Sequence, residues 1–279
     1  MDRRTPDNRK LEDFQAHLIY EERSSATVEK YLRDVRAFFV FLGERELVKE
    51  EMVQYKRHLQ KQGYAVRSVN SMLAGVHNYL DFAEIPECKV KILKVQKETY
   101  STQEKELTMA EYKRLVHAAE RNERMKFVIE TICATGIRVS ELRFFTLEAV
   151  KQGEVIVQCK NKIRKIFIPK SLKKLLIKYA RKRNIESGPV FITRGKKPLD
   201  RSYIWAQMKK LCAAAGINPK KVVPHNLRKL FARTFYGRDK DIAKLADLLG
   251  HSSIETTRIY IMSTGYEHRR QIELLGLVV

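Results

Sequence analysis

Residues 248–261 read LLGHSSIETTRIYI and combine an apolar helical pattern with polar side chains that are capable of catalysis. Ser252 and Glu255 stand three positions apart, which is the spacing of a capping box, so a helix is predicted to begin at Ser253. Tyr260 then lies about two turns into that helix. The stretch therefore predicts a helix that presents a tyrosine close to a cluster of polar residues.

Two further stretches place reactive side chains in apolar helical surroundings, ATGIRVSEL (134–142) and PHNLRKLFA (224–232). The candidate residues of the three stretches are Arg138, Glu141, His225, Arg228, His251 and Tyr260. Each one alone fits an ordinary structural role at a helix end or in a core. Together they match what cleavage of a phosphodiester without a metal requires, namely a nucleophile, cations for the phosphorane, a base and an acid. Arginine suits phosphate because its planar fork donates two hydrogen bonds and stays charged.

Charge indicates the class of partner. The chain carries 55 lysines and arginines against 33 aspartates and glutamates, a net charge of +22. Residues 1–100 hold 18 basic and 16 acidic side chains, whereas residues 151–221 hold 20 basic and 3 acidic ones. This excess favours a polyanion such as nucleic acid, but a basic surface by itself does not name a reaction.

Several other classes of protein are disfavoured. A hydrophobic content of 44% supports a globular chain, and no apolar run approaches the roughly 20 residues that span a bilayer. The charged start MDRRTPDNRK does not resemble a signal peptide, so a cytoplasmic protein without a membrane partner is expected. The cysteines show no CxxC or Cys/His ligand spacing, so reduced, buried thiols are predicted. They are Cys88, Cys133, Cys159 and Cys212. The sequence has no P-loop and no metal-ligand cluster, so no metal and no cofactor are expected.

Hydrophobic periodicity divides the chain into two helical regions. Four amphipathic stretches in the first region predict a compact four-helix unit. Residues 95–106 are polar and lack periodicity, which predicts an interdomain linker. A T-x-x-E capping box that begins at Thr108 then predicts the first helix of a second domain. We therefore predict domains at residues 1–94 and 107–279.

The second domain is predicted to be helical except for one segment. EVIVQCKNKIRKIFIPK (154–170) carries two β-branched runs, VIV and IFI, around a basic polar tip, which predicts a short hairpin. The fold class is therefore mainly α with a small β-sheet. It comprises an N-terminal helical domain and an α-rich domain that holds the candidate catalytic residues.

These motifs resemble those of the tyrosine recombinase family, which includes the phage integrases and the Xer-type recombinases, and most closely those of conjugative-transposon integrases. That family carries an Arg in a TGxR break, an HxxR box, an LGHxS box and a Tyr nine residues after the LGH histidine. This sequence has TGIR at 135–138, HNLR at 225–228, LGHSS at 249–253 and Tyr260 nine residues after His251. The N-terminal helices resemble the family's core-binding domain, so the resemblance covers nearly the whole chain.

The resemblance implies a chemistry. Tyr260 would attack a scissile phosphate, form a 3′-phosphotyrosyl bond and free a 5′ hydroxyl, and the 5′ hydroxyl of a partner strand would then attack in turn. Arg138 and Arg228 would neutralise the transition state, His225 would accept the tyrosine proton and His251 would hydrogen-bond the phosphate. Because the phosphotyrosine keeps the bond energy, neither ATP nor a metal would be needed.

Two supporting roles are less directly indicated. Glu141, three residues after Arg138 and on the same helix face, is expected to orient that arginine, with an exposed surface carboxylate as the alternative. The hairpin departs from the family pattern, since CKNKIRK (159–165) is one residue short and lacks the usual Lys-Gly pair. Lys160 is the predicted general acid for the departing 5′ oxygen, and Lys162 is the alternative.

The implied partner is double-stranded DNA with paired core sites, clamped between the two domains. The tail MSTGYEHRRQIELLGLVV (262–279) is implied to exchange between the protomers of a homotetramer. Four lysines are candidate DNA contacts, each with a solvated basic face as the alternative: Lys196, Lys197, Lys209 and Lys210. Two rival functions stay open, a type IB topoisomerase that rejoins the same strand and a DNA-binding protein without catalysis.

Overall fold

The computed structural model describes residues 8–95, 106–159, 162–262 and 273–275. The chain divides into two compact units, Met1–Lys97 and Glu98–Val279. The linker predicted at residues 95–106 lies almost wholly outside the described residues, so the domain boundaries stay a prediction.

The first unit is built from helices that bury one apolar face each. They are α1 (Asn8–Tyr20), α2 (Ser25–Leu42), α3 (Lys49–Lys61) and α4 (Val66–Phe82), followed by a short 3-10 helix at Pro86–Cys88. Aromatic side chains fill the core, where the rings of Phe14 and Tyr79 meet edge to face at a centroid distance of 5.4 Å. Burial of such side chains stabilises a fold by about 1.5–3 kcal/mol each. The predicted four-helix unit is confirmed.

The second unit is also mainly helical. Its elements are α5 (Met109–Ala118), α6 (Glu123–Thr135), a 3-10 helix at Val139–Phe144, α7 (Leu147–Gln152), β1 (Glu154–Cys159), β2 (Lys162–Phe167), α8 (Lys170–Lys182), α9 (Arg201–Ala215), α10 (Pro224–Asp239), α11 (Ile242–Leu249) and α12 (Ile254–Ile261). None of the helices that the structure describes is long and apolar enough to cross a membrane. The predicted fold class, mainly α with a small sheet, is confirmed.

The two strands form an antiparallel hairpin whose register places alternate side chains on opposite faces. Val155 pairs with Ile166, and both are buried against the helices of the unit. The other face, which includes Ile156 and Ile163, is exposed. The hairpin was predicted from its β-branched runs, and its packing holds β2 against the site described below.

The two predicted capping boxes have different outcomes. The Thr108 hydroxyl accepts from the Glu111 N–H and the Glu111 carboxylate accepts from the Thr108 N–H, so the first box is confirmed. The box predicted at Ser252 is wrong by one residue. Ser253 has extended backbone and its own hydroxyl accepts from the Glu255 N–H, which makes Ser253 the N-cap and starts α12 one residue later than predicted.

Candidate active site

A cleft in the second unit brings residues from distant parts of the sequence together. It encloses about 450 Å³, and its described lining includes three arginines and no carboxylate. The predicted site residues that line it are Arg138, His225, Arg228 and Tyr260. His225 and Arg228 lie one turn apart at the start of α10. The helix begins at Pro224, a residue whose fixed φ suits the first position of a helix. Because three arginines and no carboxylate are among its described lining residues, the cleft is suited to bind an anion.

Tyr260 lies between two imidazole rings at the inner end of the cleft. Its hydroxyl is 3.3 Å from Nδ1 of His225, and its ring centroid is 4.8 Å from that of His225 and 4.8 Å from that of His251. The side chain is only 9% exposed because it also packs in a small apolar cluster with residues of α10 and α11. The phenol is thus held with its oxygen beside a potential base.

His225 is suited to accept a proton. Loss of contact with water lowers the pKa of His225 from its usual 6.5, and the nearby positive charges of Lys229 and Arg228 lower it further. The ring is therefore neutral at neutral pH. With its proton on Nε2, Nδ1 presents a lone pair to the Tyr260 hydroxyl.

Arg228 is a buried cation held by main-chain carbonyls. It is 2% exposed, and its Nη1 donates to the Gly136 carbonyl while its Nη2 donates to the Leu249 carbonyl at 2.6 Å. Burial lowers the pKa of Arg228 to about 10, with repulsion from Arg138 as the next cause, so the group stays protonated at neutral pH. These bonds anchor the cation at the joint between the turns that end α6 and α11.

His251 is oriented by a donor on one side and a hydroxyl on the other. Nη2 of Arg228 lies 3.1 Å from Nε2 of His251, and Nδ1 of His251 lies 2.9 Å from the Thr257 hydroxyl. Because a guanidinium can only donate, Nε2 accepts and the ring proton lies on Nδ1. Burial, followed by the charge of Arg228, lowers the pKa of His251 to about 4. The ring is therefore neutral.

Glu141 joins two arginines beneath the cleft. It is 3% exposed, its Oε1 accepts from Nη1 of Arg138 at 2.9 Å, and its Oε2 accepts from Nη2 of Arg164. Burial alone would raise the pKa of Glu141, but the charge of Arg164 and the hydrogen bonds from Arg138 outweigh it, so the pKa is lowered. These contacts are the geometry that the expected role of Glu141 in orienting Arg138 requires. The alternative of an exposed surface carboxylate is wrong.

Arg138 remains the accessible arginine of the pair. Its side chain is 41% exposed, and its Nη2 donates to the Gly250 carbonyl at 3.2 Å. Arg164 is more enclosed, and its Nη1 donates to the Leu248 carbonyl at 2.9 Å. Glu141 thus fixes one arginine that faces the cleft and one that ties β2 to the end of α11.

Position 250 requires a glycine for two reasons, its left-handed backbone conformation and the lack of room for a Cβ. Its φ is +62°, and a Cβ there would lie 2.5 Å from Cδ of Arg164. A left-handed residue with a side chain costs about 1–2 kcal/mol, and the Arg164 side chain, which pairs with Glu141, would also have to shift. Gly250→Ala is therefore expected to lower the free energy of unfolding, measured by urea denaturation, by more than that strain alone.

Gly216→Ala is the matched control, because Gly216 also ends a helix with a φ of +61° but has no atom within 4 Å of the position that a Cβ would take. It should show the left-handed cost of about 1–2 kcal/mol without the clash. Equal losses in the two variants would contradict the requirement for space at Gly250.

The structure does not test the lysine assignments. Lys160 lies outside the described residues, and Lys162 lies on β2 with a side chain that is not described. The four candidate DNA-contact lysines do not line the cleft. Lys196, Lys197 and Lys210 are exposed, whereas Lys209 donates to the Pro219 carbonyl. All of these roles stay predictions.

Sequence reasoning missed four residues that the structure places in or beside the site. Arg164 and Thr257 contact Glu141 and His251, and Arg201 and Trp205 line the cleft. The hairpin arginine was visible in the sequence but carried no distinguishing spacing. Among the described residues, no cluster of His, Cys, Asp and Glu side chains could hold a metal ion.

Comparison with known proteins identifies the class. The family model "Phage integrase family" matches residues 105–266, and "Phage integrase, N-terminal SAM-like domain" matches residues 11–85. Since the first match covers more than half of the chain, the protein belongs to the phage integrase family, the tyrosine-type site-specific recombinases. The resemblance read from the motifs is confirmed.

Individual relatives place the chain near the Xer recombinases. The tyrosine recombinase XerA of Pyrococcus furiosus is 29% identical, over 96% of this chain and 94% of that protein. XerA of Thermococcus kodakarensis is 30% identical, over 95% and 94% respectively. XerD of Halalkalibacterium halodurans is 28% identical, over 91% and 92%.

Solved structures share the fold of this chain. A crystal structure of XerA recombinase is 25% identical with a TM-score of 0.55, over 98% of this chain and 99% of that one. A lambda integrase dimer bound to a core site has a TM-score of 0.76 at 18% identity, over 93% and 96%. The integrase of the Tn1549 transposon has a TM-score of 0.70 at 14% identity, over 97% and 99%, and so shares the fold. The closer resemblance to conjugative-transposon integrases stays a prediction.

Proposed function

We propose that this protein cleaves and rejoins DNA strands at specific sites through a 3′-phosphotyrosyl intermediate on Tyr260. The observation that carries the proposal is the Tyr260 hydroxyl 3.3 Å from the neutral ring of His225, in a cleft that Arg138 and Arg228 line. A nucleophile, a base and two cations thus face one volume that can hold a phosphate.

The first step transfers a proton and exchanges one ester for another. His225 takes the proton of Tyr260 as the phenolate oxygen bonds to phosphorus, and the bond from phosphorus to the 5′ oxygen breaks. The arginines stabilise the negative charge of the phosphorane. The leaving 5′ oxygen gains a proton from a hairpin lysine, Lys160 or Lys162. Because one phosphodiester replaces another, the reaction needs no ATP, and the arginines provide the charge that would otherwise call for a metal.

Binding of the phosphate must rearrange part of the site. Nε2 of His251 accepts from Arg228 here, so it cannot donate to a phosphate until that bond breaks and the ring proton moves to Nε2. Arg138, which is 41% exposed, can meet the phosphate first. We infer that the phosphate completes the site by drawing Nη2 of Arg228 and Nε2 of His251 apart and towards itself.

The proposed substrate is duplex DNA, and the proposed working form is a tetramer. Similar solved structures include a lambda integrase tetramer bound to a Holliday junction and XerH bound to its difH substrate. The basic excess of this chain supports DNA as its partner. Tail exchange as the means of assembly is likewise part of the proposal, since residues 263–272 and 276–279 lie outside the described ranges.

A covalent trapping assay tests this function. Duplexes with a randomised core are nicked lightly, so that the strand released by cleavage diffuses away, and are then incubated with the protein and denatured in SDS. We expect adducts that survive SDS, whose DNA converges on one sequence and whose peptide carries the nucleotide on Tyr260. Binding without any adduct would favour the non-catalytic alternative. Supercoil relaxation by the enzyme without exchange between two duplexes would favour the topoisomerase.

The pH dependence of adduct formation follows from His225. Since its pKa is lowered from 6.5, the neutral base persists above that pH and is lost as the pH falls through the lowered value. The rate of adduct formation should be flat between about pH 7 and 8 and should fall by about tenfold per pH unit once His225 is protonated. Circular dichroism at each pH checks that the fold persists. A rate that climbs steadily towards the pKa of free tyrosine would contradict base catalysis by His225.

A further inference from the structure

Thr257 is a wholly buried polar residue on the helix that carries Tyr260. It is 0% exposed and lies three residues before Tyr260, on the same face of α12. Its hydroxyl is 2.9 Å from Nδ1 of His251. In the described part of the chain, this hydroxyl is the only group within hydrogen-bonding distance of that nitrogen. Thr257 therefore ties the imidazole of His251 to the helix of the proposed nucleophile.

The site requires opposite hydrogen bonds from that hydroxyl before and after a phosphate binds. Here Nε2 of His251 accepts from Nη2 of Arg228, so Nδ1 carries the ring proton and donates to the Thr257 oxygen. Once a phosphate is bound, Nε2 must donate to it, and Nδ1 becomes an acceptor that needs a donor. A buried polar atom without a partner is costly, so the neighbour of Nδ1 decides how well the phosphate-bound state is stabilised.

A hydroxyl is the side-chain group that fits both states of the imidazole. The threonine oxygen accepts through its lone pairs and donates through its single hydrogen, which can rotate about the C–O bond. An ionised carboxylate in the same place could only accept, so it would hold the ring proton on Nδ1. An ammonium group could only donate, so it would exclude that proton. Thr257 thus orients His251 without fixing its tautomer.

We propose that Thr257 is a positioning residue that reverses its hydrogen bond to His251 when the scissile phosphate binds. Before binding, its hydroxyl accepts from Nδ1–H of His251. After binding, the hydroxyl donates to the bare Nδ1, while Nε2–H of His251 donates to a phosphate oxygen. Water removes the proton from Nδ1 and supplies one to Nε2, so the ring stays neutral. The inference rests on the proposed function, because it takes the phosphate to lie beside Tyr260 and Arg228.

Nitrogen NMR of the histidine rings tests the change of tautomer without requiring cleavage. The Tyr260→Phe protein is made with isotope-labelled histidine, and a duplex enriched from a randomised library by non-covalent binding is added to saturation. The signals of His251 are assigned by their loss in His251→Gln. Protonated and bare ring nitrogens resonate far apart, so we expect Nδ1 to carry the proton without DNA and Nε2 to carry it with DNA. A proton that stays on Nδ1 at saturation would overturn the proposal.

The same spectra of the protein that also carries Thr257→Val test the reversed hydrogen bond. A bare ring nitrogen that accepts a hydrogen bond resonates at a different frequency from one that has no donor. With DNA bound, we expect Nδ1 of His251 to move to the frequency of a nitrogen without a donor in Thr257→Val and to keep its frequency in Thr257→Ser. An unmoved Nδ1 signal in Thr257→Val would show that the hydroxyl does not donate to it, which also overturns the proposal.

Rates of adduct formation at saturating DNA measure the effect on the reaction. In the protein that keeps Tyr260, Thr257→Val is expected to slow the adduct on the order of tenfold, the typical effect of losing one buried hydrogen bond. Its DNA affinity, measured by anisotropy of a labelled duplex, should be kept. Thr257→Ser retains the hydroxyl and should restore most of the rate. Thr256→Val is the matched control, because Thr256 is the exposed neighbour on the same helix, and it should match wild type.

The outcomes separate this role from the proposed function. A rate for Thr257→Val equal to that of wild type, or a loss that Thr257→Ser shares in full, would overturn the role of the hydroxyl. An absence of adduct in wild type would refute the proposed function instead, and the ring spectra would still decide the direction of the hydrogen bond. Thermal unfolding of each variant shows whether the fold is kept. If Thr257→Val does not fold, the ring spectra of the Tyr260→Phe protein alone decide the proposal.

Discussion

Tyr260→Phe is expected to abolish the SDS-stable adduct while leaving DNA affinity unchanged within about twofold. The substitution removes only the hydroxyl, which contacts Nδ1 of His225 at 3.3 Å. The ring keeps its place between His225 and His251, at centroid distances of 4.8 Å from each. Because this hydroxyl is the proposed nucleophile, loss of its oxygen removes the covalent step altogether. The trapping assay measures the adduct, and anisotropy of a labelled duplex measures affinity.

Tyr236→Phe is the matched control for that experiment. Tyr236 is on α10 and packs in the same small apolar cluster as Tyr260, but it does not line the cleft. The control should form adduct at the wild-type rate. Mapping of the modified peptide adds a second check, since Tyr266 also lies in the C-terminal segment. An adduct that persists in Tyr260→Phe and maps to Tyr266 would show that the nucleophile is misassigned.

Local patterns in the sequence sufficed to predict the helices and the hairpin. Apolar periodicity, β-branched runs and the Thr108 cap depend on neighbours within a few residues, so the corresponding elements were found. The convergence of Arg138, His225, Arg228 and Tyr260 was predicted only through the family motifs. Nothing in their spacing alone brings residues 138 and 260 into one cleft.

The contacts that sequence reasoning missed join residues far apart in the chain. Arg164 donates to the Leu248 carbonyl across 84 positions, and no local rule signals such a pair. The burial of Arg228 against two carbonyls depends on how the turns after α6 and α11 meet. Trp205 could be recognised as a lining residue only once the cleft was known, because a tryptophan on a helix is more often part of a core.

Substitution of Glu141 is expected to cause a large loss of stability. Its carboxylate is 3% exposed and accepts from both Arg138 and Arg164, while Arg228 adds a third positive charge nearby. Glu141→Ala removes the buried carboxylate that the guanidinium groups of Arg138 and Arg164 share, and breaking a buried ion pair in this way typically costs about 3–5 kcal/mol. For a unit of this size that corresponds to a fall in Tm of roughly 10 °C, measured by calorimetry. Glu141→Gln keeps the volume and one acceptor, so a smaller loss is expected.

The pH dependence of that loss distinguishes a lost ion pair from a simple cavity. The pKa of Glu141 is lowered below 4.5 in the folded protein, so its stabilising effect is complete above about pH 4.5 and is lost as the pH falls through the lowered value. The difference in unfolding free energy between wild type and Glu141→Ala should therefore be largest near neutral pH and shrink in acid. A difference that stays constant over that range would mean that packing, and not charge, makes Glu141 important. If the ion pair is what matters, Glu141→Gln should also slow adduct formation at neutral pH, because Arg138 then faces the cleft without the carboxylate that holds its guanidinium in place.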